Sequence, residues 1–332
     1  MDFGIGDDAV ALAAALGEFF DRRDDGHAIA VASSTGGAAT RARWEALCGI
    51  GIPLLRVKEP HGIAASLLDC TLLAERFGAV LLPEPASTAI VLAPALAAVR
   101  DGSRVVCLAS KHADTGLVRI ADDDVTDLVA VPLDGPGSGL ALVERSAVGP
   151  VAERSDVDPS RPSGLCPVDD APTVETVPMT PDDIADLMQE WAVLTISELV
   201  GGMQAVIEAT ITFVQERKQF GRSVGSFQSI KHQLADMYVA VEQARAAVQF
   251  AAISCGDSTE TVATDVAAAS RWVPAAAIGL FERAIHLHGA MGYSWEVGIH
   301  LHLRRAVATR VLLRESGVTD PQPVRESQRV AS

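Results

Sequence analysis

Between Glu216 and Gln228 the chain reads Glu-Arg-Lys-Gln-Phe-Gly-Arg-Ser-Val-Gly-Ser-Phe-Gln. Three cations (Arg217, Lys218, Arg222), two aromatics (Phe220, Phe227) and Gln228 gather in one glycine-punctuated stretch that is too polar to be core. A guanidinium offers a delocalised cation and planar donors to an anion. On spacing alone the favoured reading of the stretch is a helix-terminal Arg, a core Phe and a surface Gln. Two His-x-His pairs, His286/His288 and His300/His302, raise metal binding as a second chemistry. Residues two apart on a helix do not share a face, and no Cys or carboxylate cluster completes a tetrahedral set, so no metal site is expected. Arg304, Arg305, Arg310 and Arg314 make a basic C-terminal helix in an acidic chain. Such charges read as a solvated or salt-bridged face and are given no role.

The elements that must position this stretch are two long helices. Before it, Val200, Met203, Val206, Ile207, Ile211 and Val214 recur at helical spacing. After it, Ile230, Leu234, Met237, Val241, Ala244, Val248, Ala251 and Cys255 alternate steps of four and three. An apolar seam of that length must be buried against other helices.

The rest of the chain falls into blocks. Residues 1–100 read as an N-terminal helical domain: Ala9 to Phe20, Arg41 to Cys48, Ser66 to Phe77 with Gly78 as its stop, and Ser87 to Arg100 interrupted or bent at Pro94, with a polar loop from Asp24 to Gly37. Residues 101–180 carry short β-type runs (Arg104 to Ala109, Leu117 to Ala121, Leu128 to Leu133, Leu140 to Val143, Thr173 to Val177) and read as a shortened middle β domain. Ser155 to Gly164 is its turn-rich connector. Residues 181–316 read as a helical bundle opened by Thr180 as N-cap, Pro181 at N1 and Asp182 and Asp183 in the first turn. Residues 317–332 read as a disordered tail. The expected fold class is mainly α with a small β domain.

With 332 residues, 48% of them hydrophobic, the chain can bury a large core in more than one unit. Only 5% aromatics and abundant Ala suit closely packed helices. A net charge of −16 argues against nucleic acid and anionic membrane. The longest apolar run, near Thr88 to Val99, is too short to span a bilayer. The acidic start is no signal peptide, and five scattered cysteines without a CxxC suggest a reduced, cytoplasmic protein.

The Arg217-x-x-Phe220-Gly221 run, six residues, Gln228 and then Leu234-Ala-Asp-Met237 resembles the signature of the acyl-CoA dehydrogenase family. So do Ala284-Ile-His-Leu-His-Gly-Ala-Met-Gly-Tyr293 with Glu296 and, more weakly, Trp44, Leu47, Gly51-Ile-Pro-Leu-Leu and Glu59-Pro-His-Gly62. The resemblance implies an N-terminal helical domain, a middle β-barrel and a C-terminal four-helix bundle. It implies FAD as cofactor, an acyl-CoA substrate and an electron-transfer flavoprotein as acceptor. It places Arg217, Gln219, Phe220, Val224, Phe227 and Gln228 against the ADP half of an FAD held mainly by a neighbouring subunit, and His286, Gly289 and Ala290 at a second turn near the same cofactor. His286 stands where the family has Gln, and Ala290 where it has a second Gly.

In the family a Glu removes the α-proton of the acyl-CoA while the β-hydrogen leaves as hydride. Counting from the motifs puts the two family positions for that Glu at Trp191 and Leu313. Glu190 and Glu315 are near, but one step along a helix turns a side chain by roughly 100°. Glu190 is therefore the one catalytic candidate, contingent on a shifted register. The loop that would face the flavin ring is also missing from Val106 to Gly116. The resemblance therefore narrows to the smaller, degenerate subunit of the heteromeric (α2β2) actinobacterial dehydrogenases of steroid side-chain β-oxidation, partnered by a larger acyl-CoA dehydrogenase subunit. A self-sufficient homotetramer using Glu190 and a helical interaction protein without flavin stay open as alternatives.

Overall fold

The computed structural model describes residues 4–21, 37–111, 117–121, 126–133, 138–149, 153–155, 157–168, 171–257 and 260–320. Among the described residues five helices come first: α1 (Asp7–Asp21), α2 (Gly37–Gly49), α3 (Leu67–Ala79), α4 (Ala86–Leu92) and α5 (Ala97–Arg100). Eight strands follow: β1 (Val106–Leu108), β2 (Ser110–Lys111), β3 (Val118–Ala121), β4 (Leu128–Leu133), β5 (Gly139–Glu144), β6 (Glu153–Ser155), β7 (Ser163–Cys166) and β8 (Thr173–Pro178). Then come α6 (Pro181–Glu216), the two-residue strands β9 (Lys218–Gln219) and β10 (Arg222–Ser223), α7 (Gln228–Gly256), α8 (Val262–His288) and α9 (Ile299–Glu315). The molecule is mainly helical with a small sheet content.

Helix starts follow the local chemistry. Ser66 and Thr180 each form a reciprocal capping box, the Asp69 and Asp183 amides donating to the two hydroxyls at 3.0 and 3.1 Å. The strands form two four-stranded sheets, ordered β1-β4-β5-β8 and β2-β3-β7-β6, with β1 and β4 parallel. A small core that includes Cys107, Ile120, Val129, Val143 and Cys166 draws on both. A far larger core runs through α1, α3, α4 and the four long helices.

Helix α6 is the spine. Every residue from Trp191 to Met203 is buried, including Thr195, Ser197 and Glu198. Its crossing with α3 is unusually close. A Cβ added to Gly78 would lie 1.7 Å from the Glu198 carbonyl oxygen, and one added to Gly201 would lie 1.8 Å from that of Glu75. Gly78 is thus no helix stop: it sits inside α3, which ends at Ala79, and its missing side chain lets two backbones touch.

Other expectations are also revised. Of the two alternatives at Pro94 the chain takes the interruption: α4 and α5 lie on either side of it. The connector holds parts of β6 and β7, and its turn buries Asp158 and Ser160. Val318 packs on the core and Thr319 is buried, so the expected disordered tail does not begin at 317; residues 321–332, like most of the loop expected between Asp24 and Gly37, lie outside the described residues. By length and composition α6 could also cross a membrane, a helix that the apolar-run criterion overlooked, but most of it is buried inside the protein. The α7 seam is covered within the chain, since Met237, Val241, Ala244, Val248 and Ala251 are buried here, so it does not by itself call for a second subunit.

Gly201→Ala should therefore cost about 3 kcal/mol, the upper end of ordinary overpacking, because the obstacle is backbone. Gly17→Ala, inside α1 with nothing within 4 Å of the new Cβ, should gain about 0.5–1 kcal/mol. Urea midpoints at constant slope check both.

Candidate functional site

Chemistry-bearing residues gather in two places. The first is a partly open cavity of about 50 Å³ lined from three directions: Ser87 and Thr88 of α4, Arg119, Asp158, Arg161 and Ser163 of the β region, and Trp191, Thr195, Glu198, Arg305 and Leu312 of the long helices. At roughly 10–15 Å³ of such volume per water, it has room for a few waters and not for a flavin ring.

What fills it is charge. Glu198 accepts from Ser87 Oγ at 2.6 Å and from Arg161 Nη1 at 3.0 Å, and lies 3.6 Å from Arg305 Nη1. Arg305 Nε pairs with Asp158, while its Nη2 donates to Ser160 Oγ at 2.7 Å and its Nη1 to the Leu82 carbonyl at 3.3 Å. Arg161 Nη2 donates to the same carbonyl at 2.7 Å. Alongside, Arg119 pairs with Glu315, and Arg43 holds Glu84 at 2.8 Å, where burial pushes the Glu84 carboxyl upward against that pairing. Each buried ion has an opposite charge and hydrogen bonds, which burial requires.

Both positions expected for a base are apolar and buried. Trp191 lines the cavity, 4% exposed, its Nε1 donating to Thr88 Oγ1 at 3.2 Å, and Leu313 is fully buried. Glu190 points elsewhere: it pairs with Arg56, half-buried, and does not line the cavity. The thiols offer no alternative, since all five cysteines are free and burial pushes Cys70 and Cys255 up to about 12 and Cys48 to about 11. Among the described residues no three His, Cys, Asp or Glu side chains are grouped so as to hold a metal.

The second place is the end of the bundle where α6 gives way to α7. Strands β9 and β10 pair Gln219 with Arg222 around a tip of Phe220 (φ 51°) and Gly221 (φ 77°). That pair of left-handed residues closes a two-residue hairpin, which explains the glycine. It also turns Phe220 outward, 91% exposed. Its ring meets Phe227 edge-on at 6.3 Å, and the Arg222 guanidinium lies 3.9 Å from the Phe227 centroid. Arg217 caps α6, its amide donating to the Phe213 carbonyl at 2.9 Å, and its own carbonyl accepts from Val224 at 2.8 Å. Gln228 opens α7 and contacts the His232 ring at 2.9 Å. The structure thus joins Arg217, Gln219, Phe220, Val224, Phe227 and Gln228 in one turn. His286, Gly289 (φ 61°) and Ala290 form the exposed end of α8 and the turn after it.

Sequence reasoning missed the interior ions. Glu198 in the middle of an apolar helix was the available signal, since a buried carboxylate needs partners. Arg305, read as one of a solvated or salt-bridged face, is salt-bridged, but inside the protein, 4% exposed.

Arg305→Met should destabilise the chain by about 3–5 kcal/mol, because Asp158 and Glu198 stay buried without it. Adding Asp158→Asn should cost less than the two single changes summed; denaturant unfolding of the set checks this. His288 is held below its usual range by burial. The unfolded chain therefore binds that proton first, and His288 costs stability as pH falls below about 6.5. His288→Phe should flatten that part of the stability–pH curve.

The model for "Acyl-CoA dehydrogenase, C-terminal domain" matches residues 185–313. Acyl-CoA dehydrogenase IpdE2 of Mycobacterium tuberculosis is 33% identical over 304 residues, 85% of this chain and 89% of that protein. Among solved structures, a Tcur3481-Tcur3483 steroid ACAD variant superposes with a TM-score of 0.80 at 21% identity, over 95% of this chain and 96% of that one. The ChsE4-ChsE5 complex from Mycobacterium tuberculosis gives 0.79 at 21% identity, over 96% of each chain. The chain belongs to the acyl-CoA dehydrogenase family.

Proposed function

We propose that this chain is the smaller subunit of an FAD-dependent, heteromeric acyl-CoA dehydrogenase, completing the flavin site of a larger partner while carrying no base of its own. The observation that carries the reading is the contrast between its two sites. The small cavity, where Trp191 takes the position of the base, is filled by ions, whereas the hairpin presents cations and an exposed ring outward. An internal site for the chain's own flavin does not fit that cavity. The hairpin does fit the anionic, flat end of a dinucleotide bound by a neighbour.

In this reading Arg217 supplies a cation to the pyrophosphate, Phe220 and Phe227 supply apolar walls, and Gln219, Val224 and Gln228 complete the turn. Gly289 lets backbone amides approach, with His286 and Ala290 beside it. FAD, when bound, supplies the hydride acceptor; the base comes from the partner. The names of the two similar solved structures, each pairing two components and one of them a steroid ACAD, support a heteromer and a bulky steroid side-chain CoA thioester. We place the assembly in the cytoplasm, passing electrons to an electron-transfer flavoprotein. A homotetramer using Glu190 is disfavoured by the Arg56 pairing, and a flavin-free scaffold would give a colourless complex.

Three results are expected. The chain purified alone oxidises no acyl-CoA in a dye-reduction assay; turnover abolished by Glu190→Gln would support the homotetramer instead. The α2β2 complex holds two FAD, by flavin absorbance per protein mass; four would put a pocket in this chain. Arg217→Ala weakens FAD binding by the complex by about 1.5–3 kcal/mol, roughly tenfold to a hundredfold, and Lys only partly rescues it.

A further inference from the structure

The hairpin and the turn after α8 lie on different helices, yet both must hold position for one ligand. One ring pair links them. Phe213, one turn before the end of α6, stacks on His288, the last residue of α8: centroids 4.2 Å apart, planes 21° from parallel. Each ring is one step from a proposed cofactor-facing element. The Phe213 carbonyl accepts the Arg217 amide at 2.9 Å, and His288 precedes Gly289, whose φ of 61° starts the second turn. His288 is buried, 6% exposed, and its Nδ1 lies 2.9 Å from the Ala284 carbonyl, so Nδ1 carries the proton and donates. That bond fixes the ring's plane against its own helix. The second turn folds back tightly, since a Cβ on Gly292 would lie 2.7 Å from the Ile285 carbonyl oxygen. Neither ring lies on the exposed hairpin itself.

We infer that Phe213 and His288 are positioning residues, the stacked pair fixing the Arg217 hairpin and the Gly289 turn relative to each other. The inference rests on the reading of those two turns as one cofactor-facing surface, and it reassigns His288 from a doubtful metal ligand to a mechanical link. Nothing about the pair depends on which acyl-CoA is used.

Hydrogen exchange of the full chain tests the link without any cofactor. Phe213→Ala and His288→Ala should each speed exchange about two- to tenfold in peptides covering both 217–227 and 286–296, the range an aromatic pair supports. The double variant should be no faster than either single one, and His288→Phe, which keeps a ring there, should restore slow exchange in both. Strand β4 and helix α3 should not change. Acceleration only at the mutated turn, or equally across the whole chain, would overturn the inference, as would failure of His288→Phe to rescue. A second arm separates it from the reading beneath it. In the complex purified with the larger subunit, His288→Ala should lower FAD affinity and His288→Phe should not. Loosened turns with unchanged FAD affinity would leave the link standing and remove the cofactor-facing role of the turns.

Discussion

The structure depends on a backbone contact between α3 and α6. Helix axes normally stay 8–10 Å apart because side chains separate them. Here Gly78 faces the backbone of Glu198 and Gly201 that of Glu75, leaving no space for even a methyl group at either point. The crossing joins the N-terminal helices to the spine of the bundle. It also sets the depth of Glu198, the carboxylate around which the interior ions are arranged. A wider crossing would draw Glu198 away from Ser87 and Arg161 and open the cavity.

Those ions connect four parts of the chain. Glu198 comes from α6, Arg305 from α9, Asp158 and Arg161 from the turn between β6 and β7, and Leu81, Leu82 and Ser87 from the segment that runs from α3 into α4. Leu81 adopts a left-handed conformation (φ 54°) that a leucine avoids, and its carbonyl and that of Leu82 face Arg305. Buried pairs of this kind rarely add stability over an apolar core, but removing one member leaves an uncompensated charge. The arrangement therefore specifies one packing of the four parts more than it strengthens it.

The opposite end of the bundle leaves several large apolar side chains in the open. Phe220, Met291, Tyr293 and Trp295 are all substantially exposed there, in a chain whose other large apolar side chains are mostly covered. The cations of the hairpin stand out against a net charge of −16. Phe220 stands at the left-handed tip of the hairpin with its ring in solvent.

By itself the sequence determined the order of helical and β segments, the cap at Thr180, and the turn that gathers Arg217, Phe220 and Gln228, because periodicity, capping and turn chemistry act over a few residues. It also determined that Trp191 and Leu313, not carboxylates, stand at the two positions counted from the motifs. Tertiary structure alone decided that Gly78 packs instead of stopping a helix, that Arg305 is buried, that Glu190 pairs with Arg56, and that His288 stacks on Phe213. Each of those depends on partners 75 or more residues away in the chain, and spacing along a helix carries no record of which distant group will lie opposite.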